Sequence, residues 1–379
     1  MKLMHLSDLH IGKRIYEYSM LEDQRHILRE ILAIAKEEKP SAVILAGDIY
    51  DRVVPSAEAV SVFDEFLSEL AKCCEAVCVI YGNHDCAERL AFGSSLMEMS
   101  KVYVSPVYDG TLKSVCLNDE WGCVRIHLLP FLKPAVVRHV WEDEPADTTE
   151  EAVRTALTHL TFDPDERNVL VAHQFVTGAN RCESEELAVG GVDQVPASVF
   201  EGFDYVALGH LHGPQSVERE TIRYCGTPLK YSFSEMHQNK SVTIVELEKK
   251  GEVSVRTRSL HPLRDLREIR GTYLELTAKS FYKGTNTKDY IRAVLTDEED
   301  IPDGLQKLRV IYPNLMQLLY DNQRTREDQT VESAENVEKK SELELFEEFY
   351  EIQNNQPMSE QQRTFCQEQL EKIRLEGGR

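Results

Sequence analysis

The sequence predicts an α/β fold, followed by a smaller α+β unit and C-terminal helices. Through residues 1–235, short apolar runs typical of buried strands alternate with segments whose apolar residues recur at helical spacing. The order strand, helix, strand implies parallel pairing with right-handed crossovers. Near residue 237 this alternation stops and a different pattern begins. A chain of 379 residues is long enough to hold more than one domain.

Six apolar runs in the first part predict buried strands, at residues 2–7, 42–47, 76–81, 124–131, 168–175 and 205–208. A helix is expected after Pro55, with Ser56 as its N-cap. The apolar face of this helix is predicted to carry Val60, Phe63, Leu67 and Leu70. A later helix is expected over residues 150–160.

The pattern after residue 237 predicts a hairpin over residues 241–259, then a helix over 286–296 and a strand over 306–311. Residues 321–341 are polar with few large apolar groups, which is typical of a linker. The last residues regain apolar spacing, so short helices either pack back onto the main body or dock onto a partner. We therefore divide the chain into residues 1–236, 237–320, 321–341 and 342–379.

Composition narrows the class of protein. The net charge is −22, which argues against a nucleic-acid binder that relies on an overall basic surface. The nine cysteines are scattered without a Cys-x-x-Cys pair, which favours reduced thiols over disulfides. No apolar run approaches the roughly 18 residues of a membrane span. The N-terminal residues enter a strand and lack the apolar region of a signal peptide, so we expect a cytoplasmic protein with no membrane partner.

Motifs with metal-ligand side chains stand at the ends of five predicted strands. They are Asp8-Leu9-His10, Gly47-Asp48-Ile49-Tyr50-Asp51, Gly82-Asn83-His84-Asp85, His173 and Gly209-His210-Leu211-His212. Each motif alone is weak evidence, and a lone histidine after a strand is more often a core or surface group. Together they bring carboxylate, imidazole and amide donors from five strand ends to one place. Such a donor set can hold the two divalent ions of a phosphoesterase.

Positions within the motifs suggest separate roles. Asp48 is the best candidate for a carboxylate shared by both ions. His84 directly follows Asn83, so both side chains cannot easily reach the same ion, and His84 is placed to donate a proton to a leaving oxygen. The alternative, in which His84 is a ligand and Asn83 is structural, stays open. Asp85 is expected to orient the His84 ring, and Asp51 to hold its own loop or a ligand imidazole.

These motifs resemble those of the calcineurin-like metallophosphoesterase superfamily. The match narrows to a branch of DNA-repair and recombination nucleases, because Tyr224-Cys225-Gly226-Thr227-Pro228 and Ser232-Phe233-Ser234-Glu235 also fit that branch. The resemblance implies a β-sandwich flanked by helices, with a smaller α+β cap domain and C-terminal helices. It implies two divalent ions, usually Mn²⁺, with His84 as the catalytic acid. By motif position, one ion would be held by Asp8, His10, Asp48 and His212, and the other by Asp48, Asn83, His173 and His210.

The resemblance also implies partners. Members of this branch act as homodimers with an SbcC-type coiled-coil ATPase, and they cut the ends and hairpins of double-stranded DNA. Residues 237–320 would be a cap that contacts DNA, and residues 342–379 would bind the ATPase. This chain has no Gly-x4-Gly-Lys-Ser/Thr phosphate loop, consistent with ATP belonging to the partner.

Two other functions fit part of the pattern. A phosphoesterase for nucleotides or phosphoproteins would use the same metal site, but a small substrate needs neither the cap nor the C-terminal helices. A scaffold with an inactive site would join the ATPase without hydrolysis, but all seven expected ligands are present in this chain. Activity on a DNA hairpin against a small phosphomonoester separates the first two, and bound metal separates both from the third.

Overall fold

A computed structural model describes residues 1–182, 185, 194–322, 325, 343, 346, 347, 350 and 358–376. The strands of the described residues are β1 (Lys2–Leu6), β2 (Arg14–Ile15), β3 (Tyr18–Ser19), β4 (Ala42–Ala46), β5 (Ala76–Ile80), β6 (Val102–Val104), β7 (Lys113–Asp119), β8 (Gly122–Leu129), β9 (Arg167–His173), β10 (Phe175–Val176), β11 (Gln194–Val195), β12 (Tyr205–Gly209), β13 (Gln215–Val217), β14 (Arg219–Tyr224), β15 (Ser241–Leu247), β16 (Val253–Ser259), β17 (Leu266–Gly271), β18 (Tyr290–Leu295) and β19 (Leu315–Tyr320). The α-helices are α1 (Leu21–Glu38), α2 (Ala57–Leu70), α3 (Ala87–Leu90), α4 (Ser94–Met97), α5 (Pro134–Val140), α6 (Thr149–Thr158), α7 (Tyr273–Thr277), α8 (Lys279–Tyr282), α9 (Gly304–Arg309) and α10 (Glu360–Glu376).

Two six-stranded sheets form a sandwich. The first has the order β16-β15-β1-β4-β5-β6, and the second has the order β13-β14-β12-β9-β8-β7. Strands β1, β4, β5 and β6 run parallel in the first sheet. Strands β8, β9, β12 and β14 run parallel in the second. The predicted α/β fold with a helix-flanked sandwich is confirmed, and the carboxyl ends of its parallel strands carry the motifs.

Alternate residues of each strand bury opposite faces of the sheets. Leu3 and Ile44 of the first sheet lie in one fully buried cluster with Ile126 and Val169 of the second, between the two sheets. Val43 points the other way and belongs to the cluster that the helices α1 and α2 complete. Both faces of each sheet are covered by other parts of the protein. The sequences of these strands are therefore continuously apolar and do not alternate between apolar and polar residues.

For helix α2, the sequence predicted the N-cap correctly but one residue of the buried face incorrectly. The Ser56 side chain accepts a hydrogen bond from the Ala59 N–H at 3.2 Å, which confirms the predicted N-cap. Phe63 is buried as expected, but Val60 is 44% exposed. The expectation for Val60 was wrong because Val62 and Phe66 occupy the face toward the sheet instead.

The hairpin expected at 241–259 is present as β15 and β16, and it extends the first sheet. Strand β15 pairs antiparallel with β1, from Lys2 opposite Glu246 to His5 opposite Thr243. Its residues therefore complete the sandwich rather than a separate sheet. The division of the chain at residue 237 into a nuclease domain and a cap stays a prediction.

Two expected elements of the 237–320 segment were wrong in type. The helix expected at 286–296 is the strand β18, and the strand expected at 306–311 overlaps the helix α9. The β18 sequence Tyr-Ile-Arg-Ala-Val-Leu is rich in β-branched and aromatic residues, whereas α9 contains Leu, Gln, Lys and Arg, which favour helices. Strands β17, β18 and β19 form a three-stranded sheet in that order.

The chain divides into two compact units. The first comprises Met1–Arg270, Leu274–Val294 and Pro302–Leu319, and the second comprises Gly271–Tyr273, Leu295–Ile301 and Tyr320–Arg379. The expected linker at 321–341 lies outside the described residues except for residues 321, 322 and 325. Of the C-terminal helices, the structure describes α10 in the second unit. No helix of the described chain combines the length and the apolar character that crossing a membrane requires.

One pair of cysteines differs from the expectation of reduced thiols. Cys116 on β7 and Cys123 on β8 form a disulfide. The antiparallel register of β7 and β8, with Asn118 opposite Cys123, brings the two residues close together. The other cysteines within the described ranges are free.

Candidate metal centre

The sandwich brings the seven expected ligands together at the carboxyl ends of five strands. Asp8 and His10 follow β1, Asp48 follows β4, Asn83 follows β5, His173 ends β9, and His210 and His212 follow β12. The first three strands belong to one sheet and the last two to the other. The site therefore lies where the carboxyl ends of strands from both sheets come together.

Four of the expected donors converge at one side of the site. The Asn83 Oδ1 atom lies 3.1 Å from His173 Nε2 and 3.0 Å from His210 Nδ1. The Asp48 Oδ2 atom lies 3.4 Å from His173 Nε2. His173 Nδ1 donates a hydrogen bond to the Ala46 carbonyl at 2.8 Å, which turns its Nε2 toward the other donors.

The four residues assigned to the first ion also lie around Asp48. Its Oδ2 atom is 3.7 Å from His10 Nε2, and the His10 and His212 ring centroids are 5.1 Å apart. The Asp8 carboxylate accepts a hydrogen bond from the His210 N–H at 3.0 Å. Asp48 thus contacts one imidazole of each set, which is the position that a shared carboxylate requires.

The side chains present fit bound divalent ions. His10 is 1% exposed, and neither of its ring nitrogens has a hydrogen-bond partner in the described part of the chain. Leaving a buried polar atom unpaired costs free energy, and a cation at His10 would remove that cost. Two groups, His10 with Asp48 and His84, and Asp8 with Asp48 and His173, have ligand atoms within 4.8 Å of one another. Hard oxygens with imidazoles suit several divalent ions, manganese among them.

The backbone is strained at four of the expected ligands. Asp8, His10, Asp48 and His210 have positive φ angles of 52°, 43°, 50° and 103°. Non-glycine residues rarely adopt this region, at a cost of about 1–3 kcal/mol each. Strained ligands of this kind are typical of a functional site, where side-chain direction matters more than backbone preference.

Glycines allow the ligand loops to approach closely. Gly47 has a φ of 88°, and a Cβ atom there would lie 2.3 Å from His173 Nδ1. A Cβ atom at Gly82 would lie 2.1 Å from the Asp48 carboxylate. The glycines that precede Asp48 and Asn83 in the sequence are therefore needed for space as well as for the turn.

Burial and mutual charge set the ionisation of the site. Burial raises the pKa of Asp8 to about 6 and lowers the pKa of the His10 imidazole well below its usual value. Burial alone would raise the pKa of Asp48, but the charges of His173, His10 and His84, together with the hydrogen bond from His173, outweigh it and lower that pKa. Burial alone would lower the pKa of His173, but the Asp48 carboxylate raises it to about 9. The site is thus built around a carboxylate that stabilises positive charge.

His84 lies beside the ligands in a position that keeps both of its proposed roles open. Its N–H donates to Asp48 Oδ1 at 2.9 Å, and its ring nitrogen Nδ1 donates to the Asp51 carbonyl at 3.1 Å. This leaves Nε2 to carry or release a proton. The His84 and His10 ring centroids are 4.8 Å apart, so the His84 ring is also close enough to the ligands to bind an ion itself.

The Asp85 carboxylate binds main-chain N–H groups, whereas the Asp51 carboxylate lies near a lysine and a histidine side chain. The Asp85 carboxylate accepts hydrogen bonds from the N–H groups of Ile49, Tyr50 and Gly82, at 3.1, 2.9 and 3.0 Å. It therefore joins two ligand loops instead of contacting the His84 ring as we expected. The Asp51 carboxylate lies 2.7 Å from Lys13 Nζ and 3.8 Å from His10 Nδ1, so it stands next to the imidazole of an expected ligand.

Several residues that hold the ligands were not predicted from the sequence. The Gln24 side chain on α1 donates to the His10 carbonyl at 2.7 Å. Glu185 accepts from the His212 N–H at 2.6 Å. Glu235 belongs to the Ser-Phe-Ser-Glu motif but had no role assigned. The only sequence signal for Gln24 is that a polar residue stands on the buried face of an amphipathic helix.

Comparisons with known proteins agree with the geometry of the site. A family model for calcineurin-like phosphoesterases matches residues 1–214. The SbcD_C model, described as the type 5 capsule protein repressor C-terminal domain, matches residues 262–354. The D subunit of the SbcCD nuclease of Staphylococcus epidermidis is 31% identical over 369 residues, which cover 96% of this chain and 96% of that protein.

Two solved structures are similar to this chain at low sequence identity. A dimetal phosphatase from Danio rerio is 12% identical, with a TM-score of 0.40, over 68% of this chain and 96% of that one. A protein from Thermus thermophilus is 11% identical, with a TM-score of 0.39, over 68% of this chain and 98% of that one.

Proposed function

The chain belongs to the calcineurin-like phosphoesterase family, and we propose that it is the nuclease subunit of an SbcCD-type complex that cuts double-stranded DNA ends and hairpins. One observation supports the nuclease over a phosphatase for small substrates. The likeness to the staphylococcal SbcCD nuclease protein covers 96% of both chains, so it includes the residues beyond the phosphoesterase match at 1–214. A phosphatase needs only the matched domain.

We propose that the metal centre holds two Mn²⁺ ions. Asp8, His10, Asp48 and His212 would hold one, and Asp48, Asn83, His173 and His210 would hold the other. Bound there, the ions would supply Lewis-acid chemistry at the scissile phosphate. The protein's own contribution is to fix the ligands, through the strained loops and the Asp85 bonds, before substrate arrives.

His84 would act as the general acid. Its Nδ1 is occupied by the Asp51 carbonyl, so the Nε2 proton is the one available to the departing sugar oxygen. The main-chain N–H of His84 donates to Asp48, which holds the residue near the centre. Protonating the leaving alkoxide neutralises the negative charge that develops on that oxygen as the phosphodiester breaks.

DNA contact must come from local positive charge, because the chain as a whole carries −22. Basic side chains stand at the rim of the site. Lys13 Nζ lies 2.7 Å from Asp51, and Arg52 Nε lies 3.9 Å from the same carboxylate. A cavity of about 360 Å³ beside them is lined by Arg14, Asp51, Arg52 and Ser56 among others. The segment 237–320 and the ATPase would add further contacts to the duplex.

The C-terminal residues 342–379 would bind the coiled-coil ATPase. The α10 helix carries Phe365, which is 61% exposed, as is expected of a helix that awaits a partner. Most of this segment lies outside the described residues, so the proposal rests on the likeness to the relative and on the sequence pattern.

We also propose that the protein forms a homodimer through the segment that follows the His84 loop. Phe92, Leu96 and Met99 are 82%, 73% and 84% exposed within eight residues of sequence. The double variant Phe92→Glu with Met99→Glu is expected to halve the mass measured in solution by light scattering, because buried carboxylates would oppose association. Val310→Glu changes an equally exposed side chain elsewhere and should remain a dimer. A variant that keeps the wild-type dimer mass would place the interface elsewhere.

The function is tested by Mn²⁺-dependent cleavage of an end-labelled DNA hairpin, with and without the copurifying ATPase. We expect cleavage that disappears with a chelator, returns with Mn²⁺ and increases with the partner and ATP. Hydrolysis of a nucleoside monophosphate or a phosphopeptide with no cleavage of the hairpin would instead support a small-substrate phosphoesterase.

A further inference from the structure

Two sequence motifs with no role in the chemistry surround one expected ligand, His212. The Glu235 side chain, in the Ser-Phe-Ser-Glu motif, is fully buried. Its Oε1 atom lies 3.4 Å from His212 Nδ1, and its Oε2 atom lies 2.6 Å from Lys240 Nζ. A buried ion pair thus stands directly behind the ligand ring.

The same groups also hold the His212 main chain. Lys240 Nζ donates to the His212 carbonyl at 2.9 Å, and the Thr227 N–H donates to it at 3.1 Å. A Cβ atom at Gly226 would lie 2.5 Å from that carbonyl oxygen, and the residue has a φ of 77°. The Tyr-Cys-Gly-Thr-Pro motif therefore needs its glycine so that the chain can pass close to His212.

A buried ion pair usually adds little to the net free energy of folding. Removing two charges from water costs several kcal/mol, and well-packed apolar residues of similar size often do as well or better. Here both charged groups are almost inaccessible, with side-chain exposures of 4% for Lys240 and 0% for Glu235. Their shared feature is contact with His212, which points to a role in directing that residue.

We propose that Glu235, held in place by Lys240, is a positioning residue for His212. When His212 Nδ1 donates its proton to the Glu235 carboxylate, Nε2 is left as the nitrogen that faces the metal centre. A carboxylate behind a ligand imidazole fixes its tautomer and increases its donor strength. His173 is oriented by a neutral group, the Ala46 carbonyl, so the two imidazoles are set differently. This inference rests on the proposed two-ion site.

The test uses Glu235→Gln and the double variant Glu235→Gln with Lys240→Met, in the full chain. Mn²⁺ binding is followed by calorimetric titration, and unfolding of the metal-free protein is followed in EDTA. Both variants should bind one of the two ions about 10–100-fold more weakly and the other ion normally. The single variant leaves Lys240 unpaired and should unfold at a lower temperature, and the double variant should recover part of that loss. Glu246→Gln, which changes a half-exposed carboxylate of β15, should match the wild type in both measurements.

A purely structural role for Glu235 predicts another pattern. The double variant would then recover metal affinity together with stability, or both ions would weaken equally, and either result overturns the inference. The double variant has no charged group at either position. If the single variant does not fold, the Mn²⁺ titration of the double variant decides whether Glu235 positions His212. If the variants bind two ions with wild-type affinity, only this inference fails. If the wild-type chain takes up no Mn²⁺, the proposed function fails with it.

Discussion

Substituting His84 with glutamine is expected to leave two Mn²⁺ ions bound and to slow hydrolysis of a DNA phosphodiester by about 10²–10⁴-fold. Loss of a general acid typically costs that much. The ions should remain because the seven expected ligands do not include His84. Mass spectrometry measures the number of bound ions, and single-turnover cleavage of a labelled hairpin measures the rate of hydrolysis.

The nature of the leaving group separates a general acid from a metal ligand. A p-nitrophenyl phosphodiester releases an anion that needs no proton, so the variant should retain most of the wild-type rate on that substrate. His139→Gln, an exposed histidine away from the site, should match the wild type on both substrates. Loss of one ion in the His84 variant, with equal slowing on both substrates, would make His84 a ligand and Asn83 structural.

Substituting Asp48 with asparagine is expected to abolish the binding of both ions. The Asp48 carboxylate lies 3.7 Å from His10 Nε2 and 3.4 Å from His173 Nε2, so it stands between the two proposed ligand sets. Loss of a group that merely supports a ligand costs about 10–100-fold in affinity, and loss of a shared ligand should exceed that for each ion. Hydrolysis should fall to the level measured in a chelator.

The comparison for Asp48 is Asp64→Asn, an exposed carboxylate on α2. It should bind both ions and cleave the hairpin at the wild-type rate. An Asp48 variant that kept one ion at normal affinity would mean that the carboxylate is not shared. Unfolding in EDTA shows whether the loss of metal is direct, since an intact metal-free variant should unfold cooperatively.

The α/β alternation and the strand ends that carry the expected ligands were predictable from local sequence patterns, whereas the sandwich was implied by the family resemblance. Apolar runs of strand length are followed at once by the ligands, so each strand carries its own ligand to the same edge. The types of β18 and α9 were misassigned, although their residues favour a strand and a helix respectively, because apolar spacing in such short runs fits either structure. Val60 was misplaced because helical spacing alone does not decide which of two neighbouring faces is buried.

The groups behind the ligands were not predictable for a different reason. Glu235 reaches His212 across 23 residues, and Gln24 reaches the His10 carbonyl across 14. No spacing rule connects such positions, since the contact exists only after the sheets have assembled. Asp85 was assigned to its neighbour His84 by proximity in sequence, whereas its carboxylate bonds to N–H groups of two separate loops.

The most direct measurement is anomalous diffraction from crystals of the wild-type protein grown with Mn²⁺. We predict two manganese peaks about 3.5–4 Å apart, with an Asp48 oxygen within bonding distance of each. His10 and His212 should lie at one peak, and Asn83, His173 and His210 at the other. A single peak, or two peaks of which only one touches Asp48, would contradict this prediction.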